Sequence, residues 1–222
     1  MVVKSMSEDD EKITESRPYA GVGAAERSAR RRTALLDAAL DLLAEGGGAA
    51  VTKRAVCARA RLNDRYFYEH FDDRDTLLEA LSQDVTSQGI DTVVAAPLAA
   101  GPDIRTRIHA AADAALGFLD TDPRRQALLL HSHSTPALQQ GRVTTQHAIA
   151  GAMAAVAREL IEDPAPLDID MAAYVLVSGT LELVTAWLRG EFRTGREHLV
   201  DIITDLLFAG TTNAPQALPD SR

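Results

Sequence analysis

A single cysteine, Cys57, stands among the 222 residues, so no intrachain disulfide can form and a reducing compartment is the simpler expectation. It falls on the apolar side of its segment and reads as a small buried hydrophobe rather than a reactive thiol. Aromatics are scarce, at 5% with one Trp, so an aliphatic core is expected. Positive charge is short as well: 23 Lys and Arg against 32 acids leave a net −9, which alone argues against nucleic acid. No run of 18 or more apolar residues is free of charge, and the N-terminus has no apolar signal core. A soluble, cytoplasmic chain with no membrane partner is expected. Enzyme signatures are missing too: no G-x-S-x-G, no H-E-x-x-H, no phosphate loop and no dinucleotide glycine pattern, so no enzyme is expected.

The distribution of charge reverses the first impression. Residues 1–26 carry three bases against six acids, residues 27–74 ten against seven, and residues 75–222 ten against nineteen. A head of net +3 sits on an acidic body, an arrangement that orients a chain on a polyanion. The basic segment is also rich in helix punctuation. Thr52 precedes a run in which Ala55, Val56, Ala58 and Ala60 form one small-residue side, and it is placed to cap that helix. Asn63 can cap a second helix, Asp64–Phe71, and Asp72 or Asp73 a third that begins at Arg74. Only Arg61 and Leu62 are left between the first two helices. So short a connection makes them cross steeply, as in a helix-turn-helix. Phe67 and Phe71 are spaced to face inward; Arg65, Tyr66, Glu69 and His70 are expected outward.

This stretch resembles the N-terminal domain of the TetR family of transcriptional regulators. The likeness runs from Ala34–Gly46, ALLDAALDLLAEG, through Thr52 to Phe67-Tyr68-Glu69-His70-Phe71, with Arg74 and the Leu77-Leu78 pair following. It covers about 50 residues. The resemblance implies an all-α protein: a three-helix helix-turn-helix head, then a helical body that binds ligand and dimerises. It implies that the second motif helix enters the major groove of a palindromic operator in double-stranded DNA. Arg65 then reads guanine, and Tyr66, Tyr68 and His70 meet phosphates or thymine methyls. Thr52 and Arg54 touch the backbone, and Arg74 takes the place of the family's phosphate-binding Lys. Arg27, Arg30, Arg31 and Arg32, before the first motif, become candidate phosphate or minor-groove contacts. Two departures add charge at the same face: Arg61 replaces the family's turn glycine, and Arg65 a glycine two residues after the cap. Arg61 and Asn63 thus join the candidate DNA-binding residues.

Residues 1–26, with Pro18 and glycines at 21 and 23, read as a disordered tail, and residues 213–222 as a flexible one. The head is placed at 27–74 and the body at 75–212. Helices are expected over Ser28–Glu45, Arg74 to about Val94 with Pro97 breaking it, Asp103–Leu119, a segment opened by Asp122-Pro123, Ala137–Glu162, Ile169–Leu188 and Gly195–Ala209. Asp163–Asp168 is expected as a loop. Thr194 to Glu197 forms a capping box for the last helix. Ile169–Leu188 is apolar almost all round, so it needs cover on more than one side. By resemblance the last two helices, about 169–188 and 195–209, pair with their copies in a homodimer. A repressor released by a small apolar effector is the family default. Phe118, His131, His133, Tyr174 and Trp187 are the body's candidate ligand-binding residues. His131-x-His133 has metal-pair spacing without companions, so neither a metal nor a cofactor is assigned. The second reading is a helical interaction or scaffold protein that binds no DNA.

Overall fold

The computed structural model describes residues 19–160 and 166–212. The remainder of the expected N-terminal tail, the loop segment 161–165 and the expected C-terminal tail lie outside the described residues. Nine α-helices and one short 3-10 turn make up the described residues, with no strand among them.

Helix α1 spans Tyr19–Ala50, with a break at Gly47, whose φ of 67° a side-chain-bearing residue rarely adopts. It starts nine residues before the expected Ser28, so 19–26 is helix rather than tail. Alanines at 20, 24 and 25 favour that extension, and Glu26 pairs with Arg30 one turn on at 2.6 Å. Leu35, Leu36, Ala39 and Leu43 form its buried stripe. Helix α2, Lys53–Ala60, is capped by Thr52, whose hydroxyl accepts from Ala55 N at 3.2 Å. It ends at Arg61, which adopts the left-handed conformation (φ 54°, ψ 39°). Leu62 N donates to Cys57 O at 2.9 Å, closing the helix end in the manner of a Schellman turn. Helix α3, Asp64–Tyr68, is capped by the Asn63 side chain and is shorter than expected. Glu69 continues it as its C-cap, while His70 and Phe71 form the exit turn, bonded back to the Phe67 carbonyl.

Asp73 caps α4, Arg74–Ala99, by accepting from Thr76 N and Oγ1, both at 2.8 Å. Pro97 lies inside the last turn of α4 and does not break it. So near the end a proline forfeits one hydrogen bond and the helix stops two residues later. Asp103 caps α5, Ile104–Thr121, in the same way. A 3-10 turn at Pro123–Arg125 leads into α6, Gln126–Leu130, and then α7, Pro136–Leu160. Helix α8, Pro166–Leu188, includes residues 166–168, which were expected as loop. Helix α9, Arg196–Thr212, starts one residue later than the capping box implied, and the Thr194 carbonyl accepts the Trp187 indole N–H at 2.9 Å.

The core has three parts. The largest joins Leu35, Leu43, Val56, Cys57, Phe67, Phe71, Leu77 and Leu81 to Ala127 and Leu138, so the head's core is continuous with the first helices of the body. A second packs Ala112 and Leu116 of α5 against Val184, Leu199 and Ile203. A third packs Ala150 and Ala154 of α7 against Ile169, Ala173 and Val177. Helix α4 lies along α5 and α7, α7 along α8, and α5 along α9. Helix α8 is long and apolar enough to cross a membrane on length and composition, and only 22% of that stretch is buried within the chain. Its covered side packs on α7, while Met171, Tyr174 and Val175 stand open.

Candidate nucleic-acid interface

The candidate interface is built on α2, α3 and the middle of α1. Phe67 is fully buried and tilts against Phe71 at 5.8 Å between ring centroids. Those two rings fix α3 on the head's core, about 2 kcal/mol or more of burial each. With Phe67 inward, the opposite side of α3 faces out. Arg65 is the most open of its side chains, 84% exposed. Tyr68 is 57% exposed, with its ring edge-on to Phe67.

Lys53, absent from the expected set, organises this surface. Its ammonium donates to Asp64 Oδ2 at 2.6 Å and to the Tyr68 hydroxyl at 3.2 Å, and lies 4.8 Å from the Tyr68 ring centre. The hydrogen bond to Asp64 raises the Lys53 pKa, and Lys53 in turn lowers that of Asp64. The carboxylate that opposes phosphate attraction is thereby neutralised locally. Sequence reasoning missed Lys53 because its partners lie eleven and fifteen positions away.

The expected DNA-binding residues divide. Arg54, Arg61, Arg65 and Tyr68 are exposed on the head's surface. Thr52 and Asn63 are exposed too, but their side chains are engaged as caps, Asn63 Oδ1 accepting from Tyr66 N at 3.3 Å. Tyr66 is only half-exposed, because the Arg31 guanidinium stacks 4.5 Å from its ring centre. His70 turns inward: its Nε2 is enclosed with no hydrogen-bond partner. Burial, together with Arg31, pushes its pKa down. Arg74 donates to the Gly48 carbonyl at 2.8 Å, tying the start of α4 to the end of α1. Of the early arginines, Arg30 pairs with Glu26, Arg31 with Glu69, and Arg32 lies over the Phe71 ring at 5.7 Å. Arg27 is exposed on α1.

Behind this surface, Asp41 of α1 accepts from Arg59 of α2 at 3.1 Å and pairs with Arg124 of the 3-10 turn, which also binds Asp37 and Asp122. Arg124 above all holds the Asp41 carboxyl below its usual range. Head and body therefore share a charged junction as well as a core.

The five expected ligand-binding residues do not converge. Phe118 lies under Arg125, 3.9 Å from its guanidinium, and near Gly89. His131 rests beside Gly47, at the end of α1, and His133 is exposed with its carbonyl accepting from Gln139. Tyr174 packs on His147 at 5.0 Å, and Trp187 belongs to the cluster between α5 and α9. A cleft of about 210 Å³ lies elsewhere, between α4 and α7, lined by Gln83, Thr86, Ile90, Thr144 and Thr145 among others. Among the described residues no group of three or more His, Cys, Asp and Glu is placed to hold a metal.

A helix-turn-helix head whose second helix turns an arginine outward, on an all-helical body, is a geometry that can present a side chain to a DNA groove. Residues 35–81 match the family described as bacterial regulatory proteins, tetR family. Comparison with curated proteins finds no match. Among solved structures, the chain is similar to the fatty acid degradation regulator FadR of Bacillus halodurans, at 16% identity and a TM-score of 0.64 over 81% of this chain and 95% of that one. It is similar to a TetR-like transcriptional regulator from Rhodococcus sp. RHA1, at 19% identity and 0.60, over 83% and 97%. It is also similar to FadR from Bacillus subtilis in complex with stearoyl-CoA, at 18% and 0.63, over 80% and 98%. The chain has the head and the fold of a TetR-family transcriptional regulator.

Proposed function

We propose that this protein is a dimeric repressor that binds a near-palindromic operator and leaves it when a small molecule occupies its body. The observation that carries the reading is Arg65, held 84% exposed on a capped helix whose opposite side is locked by Phe67. Arg65, Arg54, Arg61 and Tyr68 are the surface that meets DNA, with Lys53 supplying charge at the start of α2. Repression and ligand release rest on the family resemblance. The bound stearoyl-CoA of the Bacillus subtilis FadR supports an effector with a long apolar part, as does the aliphatic body of this chain.

Two copies would cover the open apolar sides of α8 and α9, where Met171 and Val175 are 53% and 67% exposed and Leu206 is 54% exposed.

The test is a gel shift with the chain's own upstream region at low and raised salt. Steeply salt-dependent retention of that fragment over random DNA is expected. Arg65→Ala should weaken the cognate fragment far more than random DNA. No retention by the wild type would favour the scaffold reading instead, and equal weakening of both DNAs would remove base reading by Arg65.

A further inference from the structure

Three charged side chains from two helices meet at the candidate DNA surface. Arg31 of α1 donates from Nη2 to Glu69 Oε2 at 3.3 Å. The other carboxylate oxygen of Glu69, Oε1, faces Arg65 Nε at 3.4 Å. Arg31 is itself fixed, only 24% exposed, with its guanidinium stacked on the Tyr66 ring. Glu69 is thus gripped on one side by an arginine stacked on Tyr66 and faces an exposed one on the other.

The consequence lies in which nitrogen of Arg65 is taken. An unrestrained arginine side chain samples many rotamers, and ordering it opposes binding. A carboxylate against Nε restricts the guanidinium while leaving both terminal nitrogens free. Those two form the fork that matches O6 and N7 of guanine in the major groove. With both oxygens turned to arginines, Glu69 is poorly placed to accept from a cytosine amine.

We infer that Glu69 is a positioning residue for Arg65: anchored by Arg31, it holds the Arg65 guanidinium at Nε so that its terminal nitrogens meet a guanine. The inference rests on the DNA-binding reading above. It makes specificity at one base pair depend on Arg31 of α1.

Selection of bound sequences from a random duplex library, followed by binding measurements on the enriched site, tests it. The full wild-type chain should enrich a half-site with one guanine whose preference Arg65→Ala abolishes. Glu69→Ala should lower the preference for that same guanine roughly 5- to 50-fold, a bidentate contact's share of discrimination, and leave the other positions unchanged. Glu69→Gln, which keeps an oxygen for Arg65 Nε, should recover part of it. Combining Glu69→Ala with Arg65→Ala should add no further loss at that position. Arg31→Met, which keeps a side chain over Tyr66 but frees Glu69, should lower the same preference and serves if Glu69→Ala does not fold. A preference changed at a different base pair would overturn the inference, since Glu69 would then read a base itself. Uniform weakening at every position, or an unchanged guanine, would overturn it equally. Failure of the wild type to enrich any sequence would instead remove the DNA-binding reading beneath it.

Discussion

Arg61 shows how one residue can serve two opposed ends. It occupies a left-handed turn position at φ 54°, where a side chain costs about 1 kcal/mol relative to glycine. Yet it places a cation on the exposed head surface. Arg61→Gly is therefore expected to raise stability by about 0.5–1 kcal/mol in chemical denaturation. In the DNA-binding reading it also reduces the salt slope of operator binding by about 1. His70 is the second residue with a distinct signature. Its folded pKa lies below the ordinary value of 6.5, because burial and the nearby Arg31 disfavour its charge. As pH falls through 6.5, the unfolded chain takes up a proton that the folded chain refuses, so stability drops. The loss begins near neutrality and levels off below the folded pKa. His70→Gln should flatten the dependence of Tm on pH as pH falls from about 7 through the ordinary histidine value; an unchanged slope would place the titration elsewhere.

At the scale of elements, α3 is the critical piece and also the most fragile. Five residues cannot hold a helix by propensity. It is held by the Asn63 cap, the Lys53–Asp64 pair and the Phe67 anchor. Asn63→Ala should cost about 1 kcal/mol of stability and lower operator affinity beyond what the loss of one surface amide explains. Both are measurable by denaturation and gel shift on the same preparation. The caps at Thr52, Asn63 and Asp73 were legible because each is a local pattern, a side-chain acceptor one residue before a helix. The orientation of the α3 side chains was not. Tyr66 and His70 were expected outward, and α1 decides otherwise by laying Arg31 over the first and beside the second. Arg74 likewise turns to Gly48, a backbone oxygen 26 positions away that no local pattern could indicate.

At the scale of the whole molecule, the open sides of α8 and α9 and the junction at Asp41 matter most. In the dimer reading, Val175→Glu places a charge on a surface the partner covers. The expected outcome is a monomer by light scattering with native helix content and weakened operator binding, since two half-sites would no longer be bridged. A dimer that survives this change would move the interface away from α8. The Asp41 junction joins α1 and α2 of the head to the turn at Arg124, so body movements have a charged path to the head besides the shared core of Leu77, Leu81 and Leu138.

The sequence by itself determined the helices, the short turn and the inward Phe67 and Phe71, because caps and periodicity act over three or four residues. It also marked the basic head on an acidic body, since charge is a property of composition. The tertiary structure alone decided which cations face out. Arg59 and Arg124 close a junction, Arg31 and Arg74 brace the head, and Arg54, Arg61 and Arg65 remain on the surface. It also scattered the expected ligand residues among separate environments. Such pairings are fixed by where helices cross, and a crossing brings together side chains that are tens of residues apart.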